Sequence, residues 1–356
     1  MILVNDPGDG PSAYWPLQHA RWNGWTPTDL VFPFFVFIVG VALAFSLRAR
    51  VERGDSRSRL MRHVLWRGLV LFALGMLVNG FPDRYHLATW RIYGVLQRIA
   101  ICYVITSIFA LWAGRKTKIA TAAACLLGYW VIMRHVSVPG FGVPGRDIPL
   151  LDPDRNLVAW LDRKLLPGHL YEGTRDPEGL LSTIPAVASC LIGLITGDWL
   201  RSDRKRETKA AAMAAIGIAF FLAGEFFNVW FPINKKLWTS SFVLLTSGLA
   251  LVCLALCYWA LDVRQWRGRW AKPFLVFGKN AIAAYILSEL LAAGLDSLHV
   301  HGPDGVVFTW HEVIYRNLFA PLGNPANASL IFSLAYVFLC WIVMWWLDRR
   351  GIYLKV

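Results

Sequence analysis

Residues Asn5 to Gly40 read NDPGDGPSAYWPLQHARWNGWTPTDLVFPFFVFIVG. A polar loop rich in Gly and Pro, carrying one histidine (His19), runs straight into an apolar segment that opens at Asp29. The apolar half is long enough to be most of a membrane span, which takes about 20 residues. An ionisable group held at the mouth of such a span is a functional candidate by default. The loop therefore sits at the end of a membrane helix bundle, and His19 is the first residue to weigh for acid–base or nucleophilic chemistry.

Further along, hydrophobic residues make up 56% of the 356 residues, with 18 Trp, 21 Phe and a mean hydropathy of +0.46. A soluble chain averages roughly 45–50% apolar even with Gly counted. The excess is gathered in nine blocks, about 30–48, 64–80, 92–112, 119–136, 180–200, 210–231, 238–260, 273–295 and 328–347. This pattern predicts an all-α, polytopic transmembrane helix bundle forming one domain over 1–356, with about nine complete spans. Met1 to Val4 reads as the tail of a further, truncated first helix.

The net charge of +13 would suit nucleic acid, but the basic residues lie in short loops between apolar blocks, where they act as topology signals. No nucleic-acid partner is expected. One set of segments (48–67, 115–118, 201–209, 264–272 and the tail Arg349, Arg350, Lys355) holds 22 Lys and Arg, against 11 in the alternate set. The richer set is assigned to the cytoplasm, with the C-terminus, and the Asn5–Thr28 loop then faces outward. The large outer loop at about 137–179 is full of turn signals, and Asn156 to Leu166 has helical spacing within it. It is either a cover over the bundle mouth or a solvated loop. All six cysteines lie in apolar blocks, so they are read as structural, and no metal-ligand spacing is present.

A neutral imidazole accepts a proton near neutrality, and acyl transfer to an amine needs such a base or a nucleophile. A loop histidine bonded to a carbonyl is the plain alternative for His19. Thr26-Pro27-Thr28-Asp29 reads as a capping box with Pro at the first helical position. That alone accounts for Asp29, and the same carboxylate is also placed to orient His19. Asn5 is an amide that would donate to an oxyanion or cap a helix end. Arg98, beside Gln97, lies inside a span and needs an anionic partner, either a ligand phosphate or a carboxylate such as Glu225 or Glu289. Lys279 and Asn280, with the Arg48–Arg67 loop, are placed to receive a phosphorylated cofactor, although the general cytoplasmic excess of cations also explains them. Glu178, Asn234, Lys235 and Trp238 have the side chains that bind and stack on sugars, and the same types anchor helix ends.

Several stretches resemble one family. HARWNGWTPTDLVFPFFVFIVG (His19–Gly40), GVLQRI (Gly94–Ile99), DPEGLLSTI (Asp176–Ile184), INKKLW (Ile233–Trp238) and FGKNAIAAY (Phe277–Tyr285) are similar, in order, to the membrane core of the heparan-α-glucosaminide N-acetyltransferase family. The resemblance implies a bacterial inner-membrane acyltransferase that takes acetyl-CoA from the cytosol and acetylates the amine of a glucosamine-type sugar outside. It places His19, Asn5 and Asp29 on the active site. Arg98, Gln97, Lys279 and Asn280 would then face acetyl-CoA, and Glu178, Asn234, Lys235 and Trp238 the sugar. Direct transfer and a transient acetyl-histidine both fit, and a homodimer is compatible. The rival reading is a sugar permease without acyl transfer.

Overall fold

The computed structural model describes residues 1–82, 84–301 and 306–354; Lys355, counted among the tail cations, lies outside them. Each of the nine apolar blocks folds as helix. In chain order the helices are α1 (Ile2–Asn5), α2 (Val31–Glu52), α3 (Arg57–Gly80), α4 (Val95–Trp112), α5 (Arg115–His135) and α6 (Leu157–Leu165). They continue with α7 (Thr183–Leu200), α8 (Arg206–Phe227), α9 (Ser240–Tyr258), α10 (Lys272–Lys279), α11 (Ala281–Ser297), α12 (Trp310–Ile314) and α13 (Pro325–Arg349). A two-stranded antiparallel ribbon, β1 (His299–His301) with β2 (Val307–Thr309), is the one sheet among the described residues.

By length and composition, seven of these helices are apolar enough to cross a membrane, or eight if α10 and α11 together make one span. The chain is thus a multi-pass membrane protein with fewer qualifying spans than the nine expected. The difference lies at 119–136. There α5 runs 21 residues, but Arg115, Lys116 and Lys118 open it and Arg134 and His135 close it. About 15 apolar positions are left between them, roughly 22 Å of rise against a hydrocarbon core of about 30 Å.

The core is built from α2, α4, α7 and α9, whose inward faces share one large cluster of buried side chains. Backbone contact along the seam between α2 and α7 is possible because glycine stands where they cross. A Cβ at Gly40 would collide with the Cys190 carbonyl, and one at Gly193 with the Phe37 carbonyl. Small residues at such crossings let membrane helices gain dispersion contacts that lipid cannot replace. Around this core α3 packs on α4 and α8 on α9.

α10 and α11 meet at a 75° bend at Asn280. The side chain of Asn280 donates to the Ile352 carbonyl (3.0 Å) and accepts from the Leu354 amide (3.0 Å), so the tail following α13 satisfies the break. Non-helical backbone at membrane depth is tolerated where protein covers it in this way.

The outer loop carries the helix expected over 156–166. Asn156 caps α6 by accepting from the Ala159 amide, and Val158, Ala159 and Asp162 turn inward. Val158 and Leu151 join Tyr129, Met133, Phe231 and Leu237 in a second apolar cluster, with Trp22 of the His19 loop against it. The loop is therefore packed onto the end of the bundle.

Candidate active site

The loop before α2 closes in the capping box expected from Thr26 to Asp29. Asp29 is wholly buried, and both its oxygens are occupied. One, Oδ2, accepts from the amides of Ala20 (3.1 Å) and Thr26 (3.0 Å) and from the Thr26 hydroxyl (3.1 Å). The other, Oδ1, lies 2.7 Å from His19 Nδ1 and 3.3 Å from Lys235 Nζ. One carboxylate thus folds the loop, starts the helix and holds the imidazole.

With Nδ1–H donating to Asp29, the remaining lone pair of His19 is on Nε2. The ring stays about half exposed, at 47% of its side-chain surface, while its partner carboxylate is at 1%. A base fixed from behind and open in front is the arrangement in which a third group orients an imidazole for proton transfer.

Lys235 completes the group from the α8–α9 loop. Its Nζ lies against the edge of the ring, 3.0 Å from His19 Nδ1 and 3.4 Å from Nε2, as well as 3.3 Å from the carboxylate. Burial pushes its ammonium below the usual lysine range, and the Asp29 carboxylate beside it works in the other direction. The loop is tied down by buried neighbours. Asn234 donates to the Trp22 carbonyl (3.0 Å) and to Asn23 Oδ1 (3.1 Å), and accepts from the Leu237 amide (2.9 Å). Trp238 takes a left-handed φ of 51°, unfavourable for a bulky residue, and its indole N–H donates to Ser189 Oγ (3.2 Å).

These positions revise the roles expected of two residues. Trp238 is 1% exposed and sits edge-on to Phe32 and Phe242, so it is an anchor in the core with no free face for a sugar ring. Asn234 is likewise buried and spends its amide on the His19 loop, leaving Lys235 and Glu178 as the outward-reaching members of that set. Glu178 is itself bound to Arg91, which also makes a two-pronged bond to Asp176 (2.9 and 2.8 Å). Arg91 counted only as a topology charge in the sequence; what marks it is the acidic DPEG turn 85 residues away, which no local pattern links to it.

Asn5 is the last residue of α1, and its side chain donates to Glu289 Oε1 (3.2 Å). An amide committed to a carboxylate must be released before it serves an oxyanion. Beside it, burial and the Glu289 charge push Asp6 up to about 8.

Arg98 lacks the carboxylate partner expected for it: Glu225 accepts from the Trp25 indole and Glu289 from Asn5. Its guanidinium, fully buried over the Trp238 ring at 5.1 Å, donates from Nη2 to the Gly179 carbonyl (3.1 Å) and to Ser182 Oγ. Its Nε and Nη1, and both amide atoms of the neighbouring Gln97, are buried with no hydrogen-bond partner in the structure. Unmet buried donors are costly, and such groups call for a ligand or ordered water. Lys279 and Asn280 have partners of their own in Asp348 (2.8 Å) and the 352–354 backbone. No group of three or more metal-ligating side chains occurs among the described residues.

Comparison with known proteins gives this geometry its setting. Residues 13–230 match the family described as heparan-alpha-glucosaminide N-acetyltransferase, catalytic. The chain is 29% identical to the heparan-alpha-glucosaminide N-acetyltransferase of Homo sapiens and 30% identical to that of Mus musculus. Each alignment takes in 82% of this chain but only 50% and 51% of the relative, so the chain spans about half the length of the curated relatives it matches. The match includes His19, Asp29, Arg91, Arg98 and Glu178 and stops short of Lys235. On this similarity the chain belongs to the heparan-alpha-glucosaminide N-acetyltransferase catalytic family.

Proposed function

We propose that the protein is a membrane N-acetyltransferase, moving an acetyl group from acetyl-CoA to the amine of a glucosamine-type sugar on the outer side of a bacterial inner membrane, with its C-terminus in the cytoplasm. The observation that carries this reading is the His19–Asp29 pair at 2.7 Å, with Lys235 against both, at the mouth of the bundle. Acetyl-CoA would supply an activated thioester. The unpartnered donors of Arg98 and Gln97 suit its carbonyl or phosphate oxygens, and Lys279 and Asn280 lie at the opposite, basic end of the bundle.

His19 Nε2 takes a proton from the acceptor amine as its nitrogen bonds to the thioester carbonyl carbon; as the C–S bond breaks, the imidazolium, stabilised by the buried Asp29 charge, gives that proton to the departing thiolate. Lys235 lies where the acceptor must approach. A lysine depressed by burial gives up its proton more readily than a surface one, so it also serves as a relay for the departing proton. Asn5 would turn from Glu289 to the developing oxyanion. Glu178, held by Arg91, is the acidic wall for a cationic sugar. The reaction is compatible with one chain or a homodimer.

The test is transfer in vesicles loaded with labelled acetyl-CoA, with glucosamine outside. N-acetylglucosamine should form with wild-type protein and not with His19→Ala. Uptake of glucosamine without acetyl-CoA, or transfer persisting in His19→Ala, would overturn the reading. Labelled protein recovered in the absence of acceptor would mark a covalent acetyl-histidine; its absence would mark direct transfer.

A further inference from the structure

At the end of the bundle opposite His19 is a cavity of about 840 Å³ where α2, α4, α5 and α7 end or begin. It is of the size that holds small molecules. Five cations line it (Arg48, Arg57, Arg115, Lys118 and Arg204) against two carboxylates, Glu52 and Asp198. Those two are already taken. Asp198 is shared between Lys118 (2.7 Å) and Arg48 (3.2 Å), and Glu52 accepts from Arg201 (2.6 Å). Arg57, Arg115 and Arg204 have no ion-pair partner among the described residues, so the cavity carries three uncompensated positive charges. Lys118 fixes the floor, with its side chain 4% exposed. The indoles of Trp112 and Trp199 form part of the wall, as rings do at headgroup depth.

The cavity is not the back of the His19 site. From Asp29 to Arg48 the α2 axis rises about 28 Å. Its inward face over that length (Val36, Phe37, Val41, Ala44, Leu47) is buried in the core. The α2–α7 backbones touch at Gly40 and Gly193 between the two ends.

We infer that this cavity is a second binding site, for a phosphate-bearing anion. Two sources share that chemistry, an anionic phospholipid headgroup and a soluble phosphorylated molecule. Basic pockets between membrane helices on a positively charged face take such headgroups, and planar guanidinium groups bind phosphate through paired donors. This goes beyond the transfer reaction proposed above and does not depend on it.

The test uses the full chain in neutral detergent, followed by thermal melting against sodium pyrophosphate, dioctanoyl phosphatidylglycerol and, as the uncharged control, dioctanoyl phosphatidylcholine. A ligand that binds only the folded state raises the midpoint with its concentration. The expected result is a rise with pyrophosphate, phosphatidylglycerol or both. A rise with the lipid alone assigns a headgroup site, and a rise with pyrophosphate assigns a soluble ligand. The triple variant R57Q/R115Q/R204Q changes exposed side chains, so it should fold, and it should weaken binding at least about tenfold. His19→Ala should bind as wild type does. Equal binding by the triple variant, or no rise with either anion, overturns the inference. So does displacement of the bound anion by acetyl-CoA at concentrations that saturate transfer, because the cavity would then belong to the donor's path.

Discussion

The two ends of the bundle use charge in opposite ways. At the His19 end four acids are met by a cation at bonding distance: Asp29 by His19 and Lys235, Asp176 and Glu178 by Arg91, Glu172 by Arg175 and Lys236. These pairs are partly or wholly buried, and three of the contacts, Lys235 to Asp29, Arg91 to Asp176 and Lys236 to Glu172, tie loops far apart in the chain. At the Arg48 end cations outnumber acids, most are exposed, and the space between them is open. Charge at the first end sets geometry. At the second it is left over, as it is where an anion is expected or where topology alone is being specified.

The largest contrast should appear in transfer assays. His19→Ala removes the proposed base and should lower transfer about 10³-fold with the melting profile little changed. Asp29→Asn should cost about 100-fold and also lower the melting temperature, because it weakens the capping box together with the charge facing His19 and Lys235. Were Asp29→Asn to lower stability alone, its role would be capping only, and the His19 end would lose its claim to catalysis.

Next in size is Arg91→Ala. It strands Asp176, which is 2% exposed, and Glu178, and breaking a buried pair from one side costs about 3 kcal/mol. Unfolding in denaturant should register this at the His19 end. Arg57→Gln at the other end should move the melting temperature by no more than about 2 °C. Equal effects would erase the distinction between paired and surplus charge.

A smaller effect sharpens the picture by pH. Burial pushes the Asp162 carboxyl of α6 up to about 7 from an ordinary value of 3.8. In that window the folded protein holds a proton that the unfolded chain has released, so stability falls as pH rises from about 4 to about 7. Asp162→Asn keeps the acceptor for the Leu180 amide (3.0 Å) and carries no charge. Its melting temperature should fall less over that range than the wild type's, the remaining fall belonging to Asp6, and should lie above the wild type's at pH 8. A wild-type curve without the fall would mean that Asp162 is solvated.

Much of this end was legible in the sequence because the signals are local. The capping box needs only Thr26 and Asp29, the α6 helix only its own spacing, and the His19–Asp29 contact spans ten residues. What escaped is non-local or ambiguous by type. Arg91 meets its carboxylates across 85 and 87 residues. Trp238 has the chemistry of a sugar platform and the burial of a core anchor, and only packing separates the two. For Arg98 the sequence leaves a ligand phosphate and a carboxylate open as partners; a carbonyl and a hydroxyl stand on one side of the guanidinium in place of a carboxylate. The roles of Asn5, Lys279 and Asn280 rest on the family resemblance, since each has a protein partner that explains it. Among the spans, apolar content located every helix, including α5, which runs from the Lys118 end to the Tyr129 and Met133 cluster although its terminal charges shorten its apolar length.

The glycine crossing of α2 and α7 joins segments separated by most of the first half of the chain, and the exposed turn at Arg146 falls between them. Fragments severed at that turn would still share a dry, complementary face, reinforced by the Trp22 N–H to Leu151 carbonyl bond (2.8 Å). Two separately encoded pieces of this protein should therefore find each other in a bilayer, and a single proteolytic nick there should leave the assembly standing.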